Sequence, residues 1–204
     1  FRNNIGYDFG GWSHALLKDN LYKNYDNFIF VNSSVDGPYL PQNFHGKWTD
    51  YYINGLENYK LFGSSINTLA NWQNDHPKML RLLGDRINTL SNGPYKYAHV
   101  QSYIFSMNKE TLEYLIECGI FDMIKYAQSF KDAIWKEVSM SRKIIEKGWN
   151  IGSLMPCYKN VDFTCKNLNN YNIPLIDDPL IARYKDIYWN ENDLVFIKAK
   201  WNIR

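Results

Sequence analysis

The sequence has no apolar run approaching the roughly 20 residues that a membrane-spanning helix needs. It shows no signal peptide, and it has little excess charge, because 23 Lys and Arg residues are set against 21 Asp and Glu residues. A formal net charge of +2 gives no electrostatic reason to expect a nucleic acid or an anionic membrane as a partner. We therefore expect a cytoplasmic protein without a membrane span.

Cysteine is also scarce, since the chain holds only Cys118, Cys157 and Cys165. The number is odd and the spacing is not that of metal ligands, so free or buried thiols in a reducing compartment are expected. Aromatic residues are abundant, with 16 Tyr, 11 Phe and 7 Trp. Tyr and Trp combine a flat apolar face with a polar group, which suits sugar rings and interfaces, although many of them will be core.

The composition predicts a single globular domain over residues 1–204, because the chain is long enough to bury a substantial core and 45% of it is hydrophobic. The chain opens with Phe1, on a charged and glycine-rich segment (FRNNIGYDFGGW), rather than with a methionine. We therefore expect an excerpt of a longer chain, in which further strands and helices come first.

Residues 25–38 (YDNFIFVNSSVDGP) are the most informative stretch. The apolar run Phe28–Val31 is typical of a strand that is covered on both faces. It is followed by the polar residues Asn32, Ser33 and Ser34, and then by Asp36. Ligands of open α/β sheets bind just beyond the carboxyl ends of strands, so this tip is a candidate ligand or metal site. The same residues would also occur where a strand simply ends in a loop without a ligand site.

Periodicity, caps and turn residues predict alternating helices and strands, hence an α/β sandwich with a mixed sheet. The predicted helices are Ser13–Tyr22 capped by Ser13, Trp48–Leu56, Lys78–Leu90, a helix from the Asn108 cap to Cys118, and Phe130–Lys147 before Gly148. The predicted strands are Phe28–Val31, Lys60–Ile66 with an interruption at Gly63, His99–Met107, Trp149–Met155 and Leu194–Lys198.

The helix before Gly148 carries a candidate general base, Glu137. The carboxylate lies about 60° from Ile134 around the helix, on the shoulder of the apolar face. Burial there would raise its pKa and suit it to general-base work, whereas a partly buried Glu held by an Arg or a backbone amide is the alternative. The helical period gives the apolar face Ile134, Val138, Ser141 and Ile145, and the water-facing side Lys136, Lys143 and Lys147.

The segments RNNIGYDFGGW, YDNFIFVNSSVDGPYLP, KLFGSSIN, HVQSYIFSM, EVSMSRKIIEKGWNIG and LVFIK, in this order, cover nearly the whole chain. Together they resemble GT-A fold glycosyltransferases (nucleotide-diphospho-sugar transferases) of the bacterial and large-virus polysaccharide type, including rhamnan-synthesis-like proteins. The resemblance implies an α/β fold, with a GT-A-like mixed sheet flanked by helices. The first N-terminal strands of that sheet, which cradle the nucleoside, would be missing here.

The resemblance also implies roles for individual residues. Glu137 would be the base of an inverting transfer from a nucleotide-sugar to a glycan or protein hydroxyl. Family members bind a divalent metal, Mn²⁺ or Mg²⁺, at the strand tip, but the tip here is mostly neutral, so metal dependence stays open. The implied donor and diphosphate residues are Arg2, Asn4, Gly6, Asp8, Asn32, Ser33 and Ser34; the acceptor or sugar pocket is His99, Gln101, Ser102 and Trp149; the metal ligands are Asn32, Ser34 and Asp36.

Two further interpretations stay open beside the glycosyltransferase. The neutral tip also fits a catalytically inactive carbohydrate- or nucleotide-binding relative, which would bind without turnover. A structural or interaction domain would instead expose a large apolar patch to a partner.

Overall fold

The computed structural model describes residues 5–69, 77, 81, 83, 95–165, 168, 173–177, 183–184 and 187–198. Its helices are α1 (Tyr7–Leu17), α2 (Trp48–Gly55), α3 (Lys109–Glu117), α4 (Phe130–Glu146) and α5 (Glu191–Leu194), with 3-10 segments at Lys18–Asn24 and Pro156–Tyr158. Its strands are β1 (Asn27–Val31), β2 (Val35–Asp36), β3 (Leu61–Gly63), β4 (Ile66–Asn67), β5 (His99–Val100), β6 (Ile104–Asn108), β7 (Ile151–Ser153), β8 (Arg183–Tyr184), β9 (Ile187–Tyr188) and β10 (Ile197–Lys198).

The central sheet has four strands in the order β1-β6-β3-β7. Strand β6 is antiparallel to both of its neighbours, whereas β3 and β7 are parallel. Strands β1, β3 and β7 therefore end at the edge where β6 begins, and we call this the tip edge. The mixed sheet and its helices confirm the mixed α/β class, and no helix among the described residues is long and apolar enough to cross a membrane.

An aromatic stack joins the sheet to α1. Phe30 of β1 lies directly opposite Phe105 of β6, and the two rings stack with their centroids 4.6 Å apart. Trp12 of α1 meets Phe105 edge-on at 5.3 Å, and Phe121 stacks on Phe30 at 5.4 Å. Alternating side chains of a strand point to opposite faces, so Phe28 and Phe30 both face this core. The stack fixes α1 relative to the strand that leads into the tip.

Several predicted elements are confirmed. The strand at Phe28–Val31 forms, α2 begins at Trp48, and β7 lies within the strand predicted at Trp149–Met155. The side chain of Asn108 accepts hydrogen bonds from the Thr111 amide and hydroxyl at 3.0 and 2.8 Å, so the predicted cap of α3 is also correct.

The predicted start of the first helix is wrong. The helix begins at Tyr7 rather than Ser13, and Ser13 is buried within it. The Ser13 hydroxyl accepts a hydrogen bond from the amide of Asp122 at 3.0 Å. Serine is a common helix cap, but here its hydroxyl lies inside the helix and binds a backbone amide that is distant in the sequence. The spacing of residues in the sequence cannot reveal such a partner.

Two predicted strands are each divided. The segment His99–Met107 forms β5 and β6, separated by a turn at residues 101–103, and Lys60–Ile66 forms β3 and β4. The final predicted strand, Leu194–Lys198, begins instead with the last residue of α5 and becomes β10 only at Ile197. Nearly all of the helix predicted at Lys78–Leu90 lies outside the described residues.

Lys136 was expected to face water, and this is wrong. It is half-buried, and its ammonium group donates to the carbonyls of Gly119 and Ile120 at 3.0 and 2.8 Å. Burial lowers the pKa of Lys136. These carbonyls belong to the segment that follows α3, so α4 is fastened to that segment on the side predicted to be solvent-exposed.

Candidate functional site

The strand tip contacts the first turn of α1. The side-chain amide of Asn32 donates to the Asp8 carboxylate at 3.0 Å. Asp8 and Asn32 are 24 residues apart, and the aromatic stack between α1 and β1 brings them together. Two residues that were predicted for the same donor site therefore lie side by side, with Asp8 exposed and Asn32 half-buried.

The backbone conformation explains why a glycine occupies position 6, just before α1. Its φ is +83°, in the left-handed region that favours glycine. An added Cβ would also lie 2.8 Å from Cδ1 of Tyr126. The glycine thus sets the start of α1 and places Asp8 beside the tip. Arg2 and Asn4 of the same predicted loop lie outside the described residues.

The tip itself is held by a turn within residues 32–34. The Asn32 side-chain oxygen accepts from the Ser34 amide at 2.9 Å and from the Ser34 hydroxyl at 2.7 Å. An amide oxygen has two lone pairs, and both are used here. Ser33, between them, is exposed. The turn is therefore rigid, and of its side chains Ser33 is the most accessible to a ligand.

The tip also touches the turn that begins β6. The backbone amide of Asn32 donates to the carbonyl of Tyr103 at 3.0 Å. The preceding amide, that of Ser102, donates to Oε1 of Glu137 at 2.5 Å. A continuous set of contacts thus runs from Asp8 through Asn32 and residues 102–103 to Glu137. The two carboxylates lie at the two ends of this set, at the tip edge.

Glu137 lies on the middle of α4 and is half-buried. Helix α4 is well anchored, because the Ser129 hydroxyl caps its first turn at Asp132 and because Val100 donates to the Ser141 hydroxyl at 2.9 Å. One carboxylate oxygen of Glu137 accepts the Ser102 amide; the other accepts no hydrogen bond from a described residue. The carboxylate is therefore oriented by the backbone with one oxygen available for a proton.

His99 and Gln101 are not arranged to line an open pocket, as the resemblance implied. They are 2% and 3% exposed. The His99 Nδ1 is 2.7 Å from the carbonyl of Tyr97, and the Gln101 oxygen accepts from the Ser65 hydroxyl at 2.7 Å. Both side chains therefore brace the turn that presents Ser102, which is half-exposed beside Glu137.

Trp149 does not join this group. It precedes β7, which runs parallel to β3 with Ile151 opposite Leu61, so Trp149 lies beyond the start of these strands. That is the edge opposite the tip. Its ring lies edge-on to Tyr114 at 5.4 Å, with the Lys60 ammonium 5.2 Å from its centroid. Trp149 therefore has the contacts of a structural aromatic residue at the sheet edge opposite the tip.

The predicted metal ligands do not form a three-oxygen site. Both lone pairs of the Asn32 oxygen are used, and the Ser34 hydroxyl donates to that same atom. Asp36 belongs to β2 and accepts from the Tyr39 hydroxyl at 2.8 Å, a contact that raises the pKa of Tyr39. Within the described residues no three His, Cys, Asp or Glu side chains are grouped to hold a metal ion.

This geometry makes a prediction for Asn32→Asp. The Ser34 donors would still bond the new side chain, but a second carboxylate would now face Asp8 at the position of the present 3.0 Å contact. We expect the variant to lose stability in chelator and to gain about 2.7 kcal/mol at Mn²⁺ about 100-fold above its Kd. Thermal unfolding with and without Mn²⁺ measures both effects.

Asn27→Asp, at the exposed start of β1, is the matched control and should not respond to Mn²⁺. A wild-type protein that gains as much stability from Mn²⁺ as the Asn32→Asp variant would contradict this account of the tip.

Two residues at this edge were missed by the sequence analysis. Tyr103 supplies the carbonyl that anchors Asn32, and its hydroxyl lies 2.9 Å from that of Ser65. Lys198 of β10 lies opposite Val35, next to Ser34 in the chain. Neither has a local signal, because pairing between segments far apart in the sequence brings their backbones near the tip.

Comparisons with protein-family models, with curated proteins and with solved structures give no significant match for this chain.

Proposed function

We propose that the protein is a glycosyltransferase that moves a sugar from a nucleotide-sugar donor to a hydroxyl of a glycan or a protein. One observation carries the proposal: hydrogen bonds connect Asp8 with the Asn32 tip and, through the backbone of residues 102–103, with Glu137 at a single sheet edge. The resemblance predicts donor contacts at Asp8 and Asn32 and a base at Glu137, and the link between these residues, which span more than 100 positions, supports the proposal. A GT-A-like arrangement of the sheet is part of the same proposal.

The donor sugar would meet the polar tip. Asp8 is an exposed carboxylate that can accept hydrogen bonds from sugar hydroxyls, and the exposed Ser33 hydroxyl can donate or accept. Because Asn32 holds Asp8 at 3.0 Å and is itself held by Ser34, these groups are preorganised. Preorganised groups lose little conformational entropy when a ligand binds.

Glu137 would be the base of an inverting transfer. The acceptor oxygen attacks the anomeric carbon and forms the new glycosidic bond, while its proton passes to the Glu137 carboxylate. The bond from the anomeric carbon to the diphosphate oxygen breaks, and its electron pair leaves with the nucleoside diphosphate. Glu137 then returns the proton to water. The Ser102 amide, which donates to Oε1, would hold the carboxylate in place during this step.

A catalytically inactive carbohydrate- or nucleotide-binding protein is the second candidate. It is favoured by the Asn32 side-chain oxygen, both of whose lone pairs are used within the protein, and by the burial of His99 and Gln101. Such a protein would use the same edge to bind without turnover.

A panel of nucleotide-sugars tests the proposal. Thermal unfolding of the protein is measured with UDP, GDP, dTDP and their common sugar conjugates, each with and without Mn²⁺. Stabilisation by one nucleotide-sugar, followed by release of its nucleoside diphosphate in the presence of an acceptor glycan, is the expected result. Stabilisation without release supports the binding protein. No stabilisation by any of the compounds contradicts the glycosyltransferase and leaves a carbohydrate-binding or interaction domain.

A further inference from the structure

We propose that a protruding apolar surface beside the start of α1 docks the protein on the anionic surface of a lipid bilayer. Its members are exposed side chains from the start of α1, from the loop between α3 and α4, and from the start of α4: Tyr7, Met123, Ile124 and Phe130. We call these four residues the apolar surface. Docking of this kind is independent of the proposed function, because it needs no nucleotide-sugar.

The exposed apolar side chains of this surface come from segments that lie together. Ile124 is 86% exposed and Phe130 is 66% exposed, and they are six residues apart in the chain. The start of α1 lies against the same loop, because a Cβ added to Gly6 would lie 2.8 Å from Cδ1 of Tyr126. Apolar residues that are exposed singly are ordinary, but a group of them marks a surface that contacts a partner or a membrane.

The loop between α3 and α4 is held in place by hydrogen bonds along its length. Oδ1 of Asp122 accepts from the amides of Ile124 and Lys125 at 2.7 and 3.0 Å, which makes a tight turn at the exposed residues. The amide of Asp122 donates to the buried Ser13 hydroxyl at 3.0 Å, and Ala127 on the other side of the turn is buried. Because the loop is fastened on both sides of its exposed residues, these side chains stay in water instead of folding back onto the core.

The charges beside the apolar surface favour an anionic lipid surface. Lys125 and Lys131 are exposed, and each directly follows an exposed apolar residue. The acidic residues of the same stretch, Asp122 and Asp132, are half-buried and their carboxylates accept hydrogen bonds from neighbouring residues. Asp8, at the border of the surface, bonds the strand tip. Lysines that flank apolar residues at a bilayer interface are attracted by anionic headgroups, so the local charge supplies what the small net charge does not.

The shape of the surface favours a bilayer over a folded protein. Its most exposed member, Ile124, lies on a turn between two helices, so the side chain protrudes rather than lining a groove. A folded partner would need a pocket that matches this side chain, because protein interfaces pack with close shape complementarity. The fluid interface of a bilayer closes around an inserted side chain of any shape. Tyr7 adds a ring with a polar hydroxyl, which suits the level of the headgroups.

The test measures sedimentation of the protein with vesicles of phosphatidylcholine alone and with vesicles of phosphatidylcholine and phosphatidylglycerol in equal parts. We expect the wild type to bind the mixed vesicles more tightly than the neutral ones. Ile124→Ser should bind both about ten-fold more weakly, because the inserted apolar area is lost. The double variant Lys125→Gln, Lys131→Gln should lose about ten-fold or more in affinity for the mixed vesicles and nothing for the neutral ones.

Leu21→Ser is the matched control. Leu21 is also exposed, but it lies beyond the other end of α1. Leucine and isoleucine are isomers, so the two substitutions remove the same atoms, and Leu21→Ser should bind vesicles as the wild type does. Thermal unfolding of Ile124→Ser should match that of the wild type, because the side chain is exposed.

Two results would overturn the proposal. One is a wild type that does not sediment with the mixed vesicles, and the other is equal binding by the wild type and Ile124→Ser. If the wild type ignores vesicles but forms a dimer by light scattering, and Ile124→Ser abolishes that dimer, the apolar surface binds a second copy of the chain instead of a bilayer. None of these results depends on sugar transfer, so each leaves the proposed function to its own test.

Discussion

Replacement of Glu137 by Gln is expected to lower the rate of sugar transfer by about 10²- to 10⁴-fold, the usual contribution of a general base. Glutamine keeps the oxygen that accepts the Ser102 amide at 2.5 Å, so the turn at residues 101–103 should keep its position. It removes only the ability to take a proton. Single-turnover transfer measures the loss, and titration with the nucleotide-sugar should show nearly unchanged donor affinity.

Glu146→Gln provides the control on the same helix. Glu146 is exposed and pairs with Lys143 at 3.3 Å near the end of α4, so its loss should leave transfer unaffected. Should Glu137→Gln transfer sugar at close to the parent rate, Glu137 is not the base. A parallel fall in donor affinity and in thermal stability would instead assign Glu137 a structural role at the turn.

Replacement of Phe105 by Ala is expected to lower the free energy of unfolding by about 3–5 kcal/mol. Phe105 is fully buried, stacks on Phe30 at 4.6 Å and meets Trp12 edge-on at 5.3 Å. Its removal leaves a cavity between α1 and the sheet, which this close-packed stack cannot fill without moving. Domains are typically stable by only 5–15 kcal/mol, so a large fraction of the total stability would be lost. Urea unfolding measures the change in the free energy of unfolding from the shift of the transition midpoint.

Phe130→Ala separates the effect of the stack from a general effect of losing an aromatic ring. Phe130 is 66% exposed at the start of α4, and its replacement should change the free energy of unfolding by less than about 0.5 kcal/mol. Equal losses for the two variants would show that the stack does not carry the stability assigned to it. Because Phe105 also aligns α1 with β1, the variant at this position should weaken ligand binding at Asp8 and Asn32 as well.

Local signals in the sequence predicted the elements that depend on local physics. The apolar run at Phe28–Val31 forms β1, the Asn108 cap begins α3, and Gly148 follows α4 with a φ of 82°. In each case the decisive interaction lies within a few residues: a side chain bonding the next turn, or a backbone angle that glycine adopts without strain. The strand tip was likewise identified by its position after β1, whereas the roles of the donor-loop and sugar-pocket residues were implied by the resemblance.

Errors arose where a distant partner changed the outcome. Ser13 has the chemistry of a cap, but the amide of Asp122 occupies its hydroxyl inside α1. Lys136 lies on the polar side of α4 by periodicity, but the carbonyls of residues 119 and 120 bind its ammonium group. The resemblance implied that His99 and Gln101 line a sugar pocket, and they are buried and bonded to the Tyr97 carbonyl and the Ser65 hydroxyl.

The sequence by itself determined the mixed α/β class, the strand that leads into Asn32 and the helix that carries Glu137. Only the tertiary structure decided which polar residues meet, Asp8 with Asn32 and Ser102 with Glu137, and that Trp149 lies at the opposite edge. The physical reason is the range of the interactions. Periodicity and capping act over one helical turn or one strand, whereas the order and direction of strands in a sheet are set by burying apolar faces from the whole chain together.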